Sequence, residues 1–492
     1  MNRRIAVLAG LVSAGLVICG GSPAIAATSA PSARLAPAGA SPVPGWGRAQ
    51  PVPGTSAASG AGLQGVSCAP GGTCTAIGDY DATSASGKIP FAITGENGVW
   101  GQKQPLPGLA AFAPQGAEAQ ALDCPASGDC LIAGSYQFTD GGGVYVQEEV
   151  NGTWGTPAAV PGSVLTGAQG FAEPTGVSCA SPGNCLLVGL QVGVQDYPQT
   201  VFIAQETGYQ WSAVAEVPGL SALNVEGFAE PAGQSCPAPG DCVVTGYYAT
   251  DTPAGAVASR PFAAVEADGT WQAATQVVLP ALSPDGTATA NSLSCPAVGK
   301  CVIAGAYQPA VTASPSTGFV VTQTPAGWSA PVTFPGVAID AISCPSAGNC
   351  AATAQDDTAN VADVTNEVHG TWGKVSPLPG VTGLSYNGEK AAVSEIFNLV
   401  CPSAGNCTAA GTYFTNLSAS PPAQNVFVAS EVGGKWWSAR VPAGLLALNT
   451  AGYASVVGLD CAAAANCVVG GDYDSTAADQ GAFLLAEVPR PG

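Results

Sequence analysis

The chain has 492 residues, among them 65 Gly and 41 Pro, with 9% charged side chains and a formal net charge of −20. That composition suits a turn-rich β protein rather than a helical one. The acidic balance excludes nucleic acid and anionic lipid as partners, because both are held by basic patches. Cations and basic partners stay open.

Residues 1–26 read as a secretory signal: Arg3 and Arg4, an apolar stretch from Ile5 to Gly21, and the small-residue cleavage site Ala24-Ile25-Ala26. The apolar run is too short and too Gly-rich for a membrane span. Ile18 precedes Cys19 where a lipidation site needs a small residue, so Cys19 leaves with the signal. Losing the two arginines takes the formal charge to −22. Residues 27–42, rich in Ala, Ser and Pro, read as a flexible leader.

From residue 43 onward the chain is periodic. Cysteines pair at 68/74, 124/130, 179/185, 236/242, 295/301, 344/350, 401/407 and 461/467, with first-to-first spacings of 56, 55, 57, 59, 49, 57 and 60. A fixed period of this size marks a repeat architecture in which no unit buries its apolar face alone. Each unit runs apolar segment, Cys, five turn residues, Cys, a Gly four residues on and usually a Tyr six residues on. A variable loop follows, then an apolar run such as Phe262-Ala263-Ala264-Val265, then Glu266, a turn with Gly269, and Trp271. This pattern predicts four strands in two hairpins, the size of one propeller blade.

The last unit stops at Phe483–Glu487 without its Trp strand, whereas residues 44–54 hold Trp46 with no unit before them. Pairing the two closes the ring and removes exposed sheet edges. The expected fold is therefore all-β: a single eight-bladed β-propeller over residues 43–492, with four-stranded antiparallel blades and the N-terminal strand completing the last blade.

Removing Cys19 leaves 16 cysteines, an even set in an exported chain, which reads as disulfides. The expected bonds are Cys68–Cys74, Cys124–Cys130, Cys179–Cys185, Cys236–Cys242, Cys295–Cys301, Cys344–Cys350, Cys401–Cys407 and Cys461–Cys467. Facing hairpin positions put the Cα atoms about 5.5 Å apart, and each short ring adds about 2 kcal/mol. Zinc needs closer spacing and partner ligands that are absent, so no metal is assigned to the cysteines. The recurring Glu149, Glu206, Glu266, Glu367, Glu431 and Glu487, five residues before a Trp or its counterpart, are expected to accept backbone N–H groups at their turns. The Trp series is expected to pack between blades.

The disulfide turns and the Trp turns share one side of such a ring, so the variable loops of the other side are the place to look for a ligand. Candidates are Phe171 and Glu173, Phe228 and Glu230, and Tyr453, each aromatic eight residues before a cysteine; Tyr386 and Glu389 in the crossing from Val381 to Leu399; Arg260, placed on a variable loop; and Asp356 with Asp357. The rings suggest a stacking platform or a plug of the funnel. The adjacent acids suggest calcium or a sugar hydroxyl, or a solvated loop.

The units resemble the Cys-Pro-Ser-Ala-x-x-Cys…Gly-x-Trp repeats of secreted actinobacterial β-propeller proteins, over nearly all of residues 43–492. The segment Glu206-Thr207-Gly208-Tyr209-Gln210-Trp211 also resembles a degenerate Asp-box of sialidase-type propellers, with Glu for Asp. The likeness implies fold rather than activity. Sialidases use three arginines, yet the mature chain has only Arg34, Arg48, Arg260, Arg440 and Arg490; the one histidine, His369, sits at a turn position held elsewhere by Asn151 and Asp268. A non-catalytic, exported monomer that binds a glycan or an extracellular protein is the first expectation, with no cofactor and no membrane insertion. The alternatives are a carbohydrate-active hydrolase or lyase working by paired carboxylates in the funnel, and an extracellular structural protein.

Overall fold

The computed structural model describes residues 44–55, 60–81, 88–139, 141–166, 170–193, 199–253, 257–309, 315–476 and 479–489. The signal and leader lie outside the described residues. Eight antiparallel blades form a ring whose inner strands are Gly62–Cys68, Ala117–Ala126, Phe171–Ser181, Ala229–Ala238, Thr287–Ser294, Val337–Ser346, Val393–Ser403 and Ala454–Ala463, for blades 1 to 8 in turn. Blade 4 shows the plan: Ala229–Ala238, Asp241–Asp251 and Val257–Ala267 lie side by side, and two short pieces, Thr270–Trp271 and Thr275–Gln276, serve as the fourth strand. The N-terminal segment completes blade 8 by pairing Trp46 with Glu487 and Pro51 with Phe483.

All eight expected disulfides are present. Their Cα atoms stand 3.9 to 4.1 Å apart, closer than the 5.5 Å of a hydrogen-bonded pair, because the cysteines occupy narrow non-hydrogen-bonded positions. Two residues before each second cysteine a left-handed residue turns the chain, Gly128 at φ 76° for example, with Ala465 at 57° the non-Gly case. Except in blade 5, where Gly327 alone is left-handed, the Trp turns carry two successive left-handed residues, as at His369 and Gly370, the geometry that matches strand twist in two-residue hairpins. Both turns lie on one side and are joined there: Gly152 N donates to Gly128 O, and Gly370 N to Gly348 O, each at 2.8 Å.

The glycine four residues after the second cysteine is there for space. A Cβ on Gly246 would lie 2.0 Å from the Glu230 carbonyl oxygen and 2.9 Å from the Phe262 ring, which covers the glycine from the next strand. Phe91, Tyr145, Phe202, Phe319, Phe427 and Phe483 cover their glycines in the same register. In blade 6 both partners change together: Ala354 faces Asp363, so there is no ring to collide with. Gly246→Ala is accordingly expected to destabilise by about 1 to 3 kcal/mol through overpacking, whereas Ala354→Gly costs at most about 1 kcal/mol of backbone entropy. Equal denaturant midpoints for Gly246→Ala and the parent chain would refute the packing argument.

Two belts tie neighbouring blades. The residue before the first cysteine, Ser or Asp in seven of eight units, accepts the amide of the next blade's first cysteine at six junctions: Cys124 N reaches Ser67 at 3.0 Å, Cys179 N reaches Asp123 at 2.7 Å, and Cys68 N closes the circle onto Asp460 at 2.7 Å. Cys236, Cys344 and Cys401 do the same to Ser178, Ser294 and Ser343.

The second belt corrects the expectation for the recurring glutamates. Among the side-chain hydrogen bonds to them, the donors come from the preceding blade rather than from the turn backbone: Gln205 donates to Glu266, Asn366 to Glu431, and Ser430 and Thr408 to Glu487. At the junction of blades 2 and 3 the donor position is itself acidic, Glu148, and burial together with Glu148 raises the pKa of Glu206. The Trp rings pack across the same junctions, with Trp46 Nε1 donating to Ser430 and Trp372 meeting Phe334 edge-on at 5.8 Å.

The crossings between blades contain a device that the sequence pattern does not announce. After Pro107-Gly108, Pro218-Gly219 and Pro442-Ala443-Gly444, with each glycine left-handed, the chain makes one helical turn, Leu109–Phe112, Leu220–Leu223 and Leu445–Leu448, that drops Leu109, Leu220 and Leu445 into the core.

Candidate functional site

Every inner strand shifts register at the fourth residue before its first cysteine, a bulge occupied by Gln64, Gln120, Thr175, Ala232, Asn291, Asp340, Phe397 and Val457. Bulges re-aim side chains. Gln64, Gln120, Thr175 and Val457 line a cavity of about 40 Å³ enclosed by blades 1, 2, 3, 7 and 8, which marks the ring axis. Two residues earlier on the same strands stand Glu118, Glu173, Glu230 and Glu395, nearer the variable-loop side.

On that side a cleft of about 350 Å³ opens over blades 1 to 3. Gly141-Gly142-Gly143, which open the third strand of blade 2, form part of its lining. Its walls carry Lys88, Glu118, Gln120, Ser135, Phe171 and Glu173. Phe171 is 50% exposed. Lys88 Nζ lies 3.8 Å from Glu118 Oε1. Burial, and the Glu118 charge after it, raise the pKa of Glu173 above the usual carboxylate range. Gln120 Oε1 is buried without a hydrogen-bond partner, and Gln120 also faces the axial cavity, so it links cleft to channel. Behind the cleft, burial pushes Asp79 up to about 7, although Ala119 N donates to it at 3.3 Å and Lys88 opposes the shift.

Of the sequence-derived candidates only Phe171 and Glu173 line this cleft. Both belong to an inner strand, not to a crossing loop. Phe228 lies against Tyr247, ring centroids 6.3 Å apart, and Glu230 accepts hydrogen bonds from the Tyr247 hydroxyl and from Gln199. The placement of Arg260 on a loop is corrected: it sits within Val257–Ala267, is buried, and donates to the carbonyls of Ser259, Gly286 and Pro284. Asp356 caps its own turn through Thr358 N and Ala359 N, both at 2.7 Å, and Asp357 accepts from Ser316 N of blade 5. These acids serve the backbone. The long crossing is shorter than expected, because Val393–Ser403 is already the inner strand of blade 7; before it, Ser385–Tyr386 and Glu389–Lys390 form a small hairpin. Tyr386 donates to Asn449 O at 3.3 Å, Glu389 is exposed, and Tyr453 is 40% exposed at the start of blade 8. Of these aromatics Phe171 is the one that lines the cleft.

Lys88, Glu118, Gln120 and Ser135 escaped the sequence reading. Glu118 carried a usable signal, since it stands six residues before a cysteine, as do Glu173, Glu230 and Glu395. Among the described residues no group of three or more His, Cys, Asp or Glu side chains is placed to hold a metal ion, and no helix is long and apolar enough to cross a membrane. Eight disulfides fit an oxidising, extracellular environment.

No protein-family model matches the chain, and none of the curated proteins is similar to it in sequence. Solved structures align with the chain at distant likeness. Sqt1 from Chaetomium thermophilum aligns at 10% identity over 88% of this chain and 97% of that one, with a TM-score of 0.45. The β-propeller domain of the Trilobed protease from Pyrococcus furiosus aligns at 9% identity, 77% and 97% coverage and a TM-score of 0.42. A Hadza microbial sialidase gives 11% identity, 70% and 73% coverage and 0.39.

Proposed function

We propose that the protein is an exported, non-catalytic propeller that binds a glycan in the cleft over blades 1 to 3. The observation that carries this reading is the exposed Phe171 ring set beside Glu118, Glu173, Gln120 and Ser135. An apolar ring face suits the C–H face of a sugar, and carboxylates and amides suit its hydroxyls. The disulfides and the expected signal at residues 1–26 support export.

Calorimetric titration with oligosaccharides selected on a glycan array tests it. Phe171→Ala is expected to weaken binding about tenfold or more while leaving the melting temperature in place, because the ring is half exposed. Unchanged affinity, or no glycan bound at all, would overturn the assignment.

One observation favours a second reading, a glycosidase. Glu173 holds its proton more tightly than usual beside Glu118, the arrangement of an acid next to a carboxylate. Release of reducing sugar that disappears in both Glu118→Gln and Glu173→Gln would select it.

A further inference from the structure

We infer that the sugar this cleft takes is an amino sugar with a free, charged nitrogen. The inference rests on the glycan-binding reading and specifies its ligand from the balance of donors and acceptors.

Among the described residues, the cleft walls carry two carboxylates and a single cation, Lys88, with neither Arg nor His. Lys88 already faces Glu118 at 3.8 Å. The further titratable groups acting on Lys88 or beside it, Asp79 and Asp472, are acids as well. No positive group offsets Glu173: burial and Glu118 both raise its pKa. Gln120 Oε1 adds an unused acceptor at the inner end of the cleft. The site therefore presents acceptors in excess of donors, and its complement is a donor-rich cation. An ammonium supplies three N–H donors and one positive charge, and its charge-assisted bond to a carboxylate is about twice as strong as a neutral one. An N-acetyl group would leave Glu173 without a counter-ion, and a uronic acid or sulfated sugar would meet like charge. The formal charge of −20 on the whole chain draws cationic ligands in the same direction.

The test compares chito-oligosaccharides of one length, fully N-acetylated and fully de-N-acetylated, with a uronic-acid oligosaccharide, titrated at near-neutral pH and moderate salt. The de-N-acetylated form is expected to bind about tenfold tighter or more than the acetylated one. Glu173→Gln is expected to bring that ratio close to one. Glu389→Gln, which removes an exposed acid away from the cleft, should leave the ratio as it is, and so separates the site from general attraction to an acidic protein. Equal affinities, a preference for the acetylated or acidic sugar, or a ratio that falls as much in Glu389→Gln would overturn the amino-sugar assignment while the glycan-binding reading stands. If none of the sugars binds, that reading fails and this inference with it.

Discussion

A chain that begins at residue 60, and so lacks the closing strands Pro44–Trp46 and Gln50–Pro51, is expected to lose at least about 5 kcal/mol of stability and to associate. The magnitude follows from what the segment buries. Trp46, Ala49 and Val52 are each at most 9% exposed. Trp46 packs on Val426 and Val428 of blade 7, and its Nε1 donates to Ser430 at 3.2 Å. Removal of a buried Trp alone costs about 3 to 5 kcal/mol. It also strips the partner from Glu487 and leaves Asp479–Pro489 as a free edge, which is a template for pairing with a second chain. Thermal unfolding followed by size-exclusion chromatography checks both effects. A truncated chain that melts with the full one and stays monomeric would mean that the ring does not depend on its clasp.

The second large effect concerns pH. Burial pushes Asp79 up to about 7, Asp123 up to about 8 and Asp472 up to about 7, from an ordinary value of 3.8. The folded protein therefore keeps these protons to neutral pH, while the unfolded chain releases them near pH 4. Between those limits the native state binds more protons than the unfolded one, so stability falls as pH rises and levels off above about pH 8. Each tenfold difference in proton affinity between the folded and unfolded chain corresponds to about 1.4 kcal/mol, so the three groups together amount to several kcal/mol. The melting temperature at about pH 5 should exceed that at about pH 8. Asp123→Asn should reduce the slope, because an amide oxygen still accepts from Cys179 N and no longer titrates. A flat or rising profile in the parent chain, or the same slope in Asp123→Asn, would count against the assignment.

Much of the fold was legible because its signals are local. Cysteine period, Asn-Gly and Asp-Gly turns and Pro-Gly exits each act within a few residues, and the unpaired Trp46 announced the closure. What stayed hidden depends on contacts between blades. Arg260 reads as a loop cation beside Pro253 and Gly255, yet a long strand carries it inward to three carbonyls. The recurring glutamates look like turn acceptors until the neighbouring blade supplies Gln205, Asn366 or Ser430. The cleft was half visible: Phe171 and Glu173 stood out by their repeated motif, whereas Glu118 and Lys88 come from other blades and meet them only when the ring closes. Aligning the repeats on the cysteines would have exposed Glu118, but no local pattern brings Lys88 of blade 1 to within 3.8 Å of it.

The amide belt, the carboxylate belt and the bridged turns all sit toward one side of the wheel, and each satisfies its neighbour there. The opposite rim is tied by contacts that differ from blade to blade, such as Arg260 on the carbonyls of Gly286 and Pro284 and Asp357 on Ser316 N. Each blade junction on that rim is therefore individual, so the shared scaffold can carry a different surface at every blade.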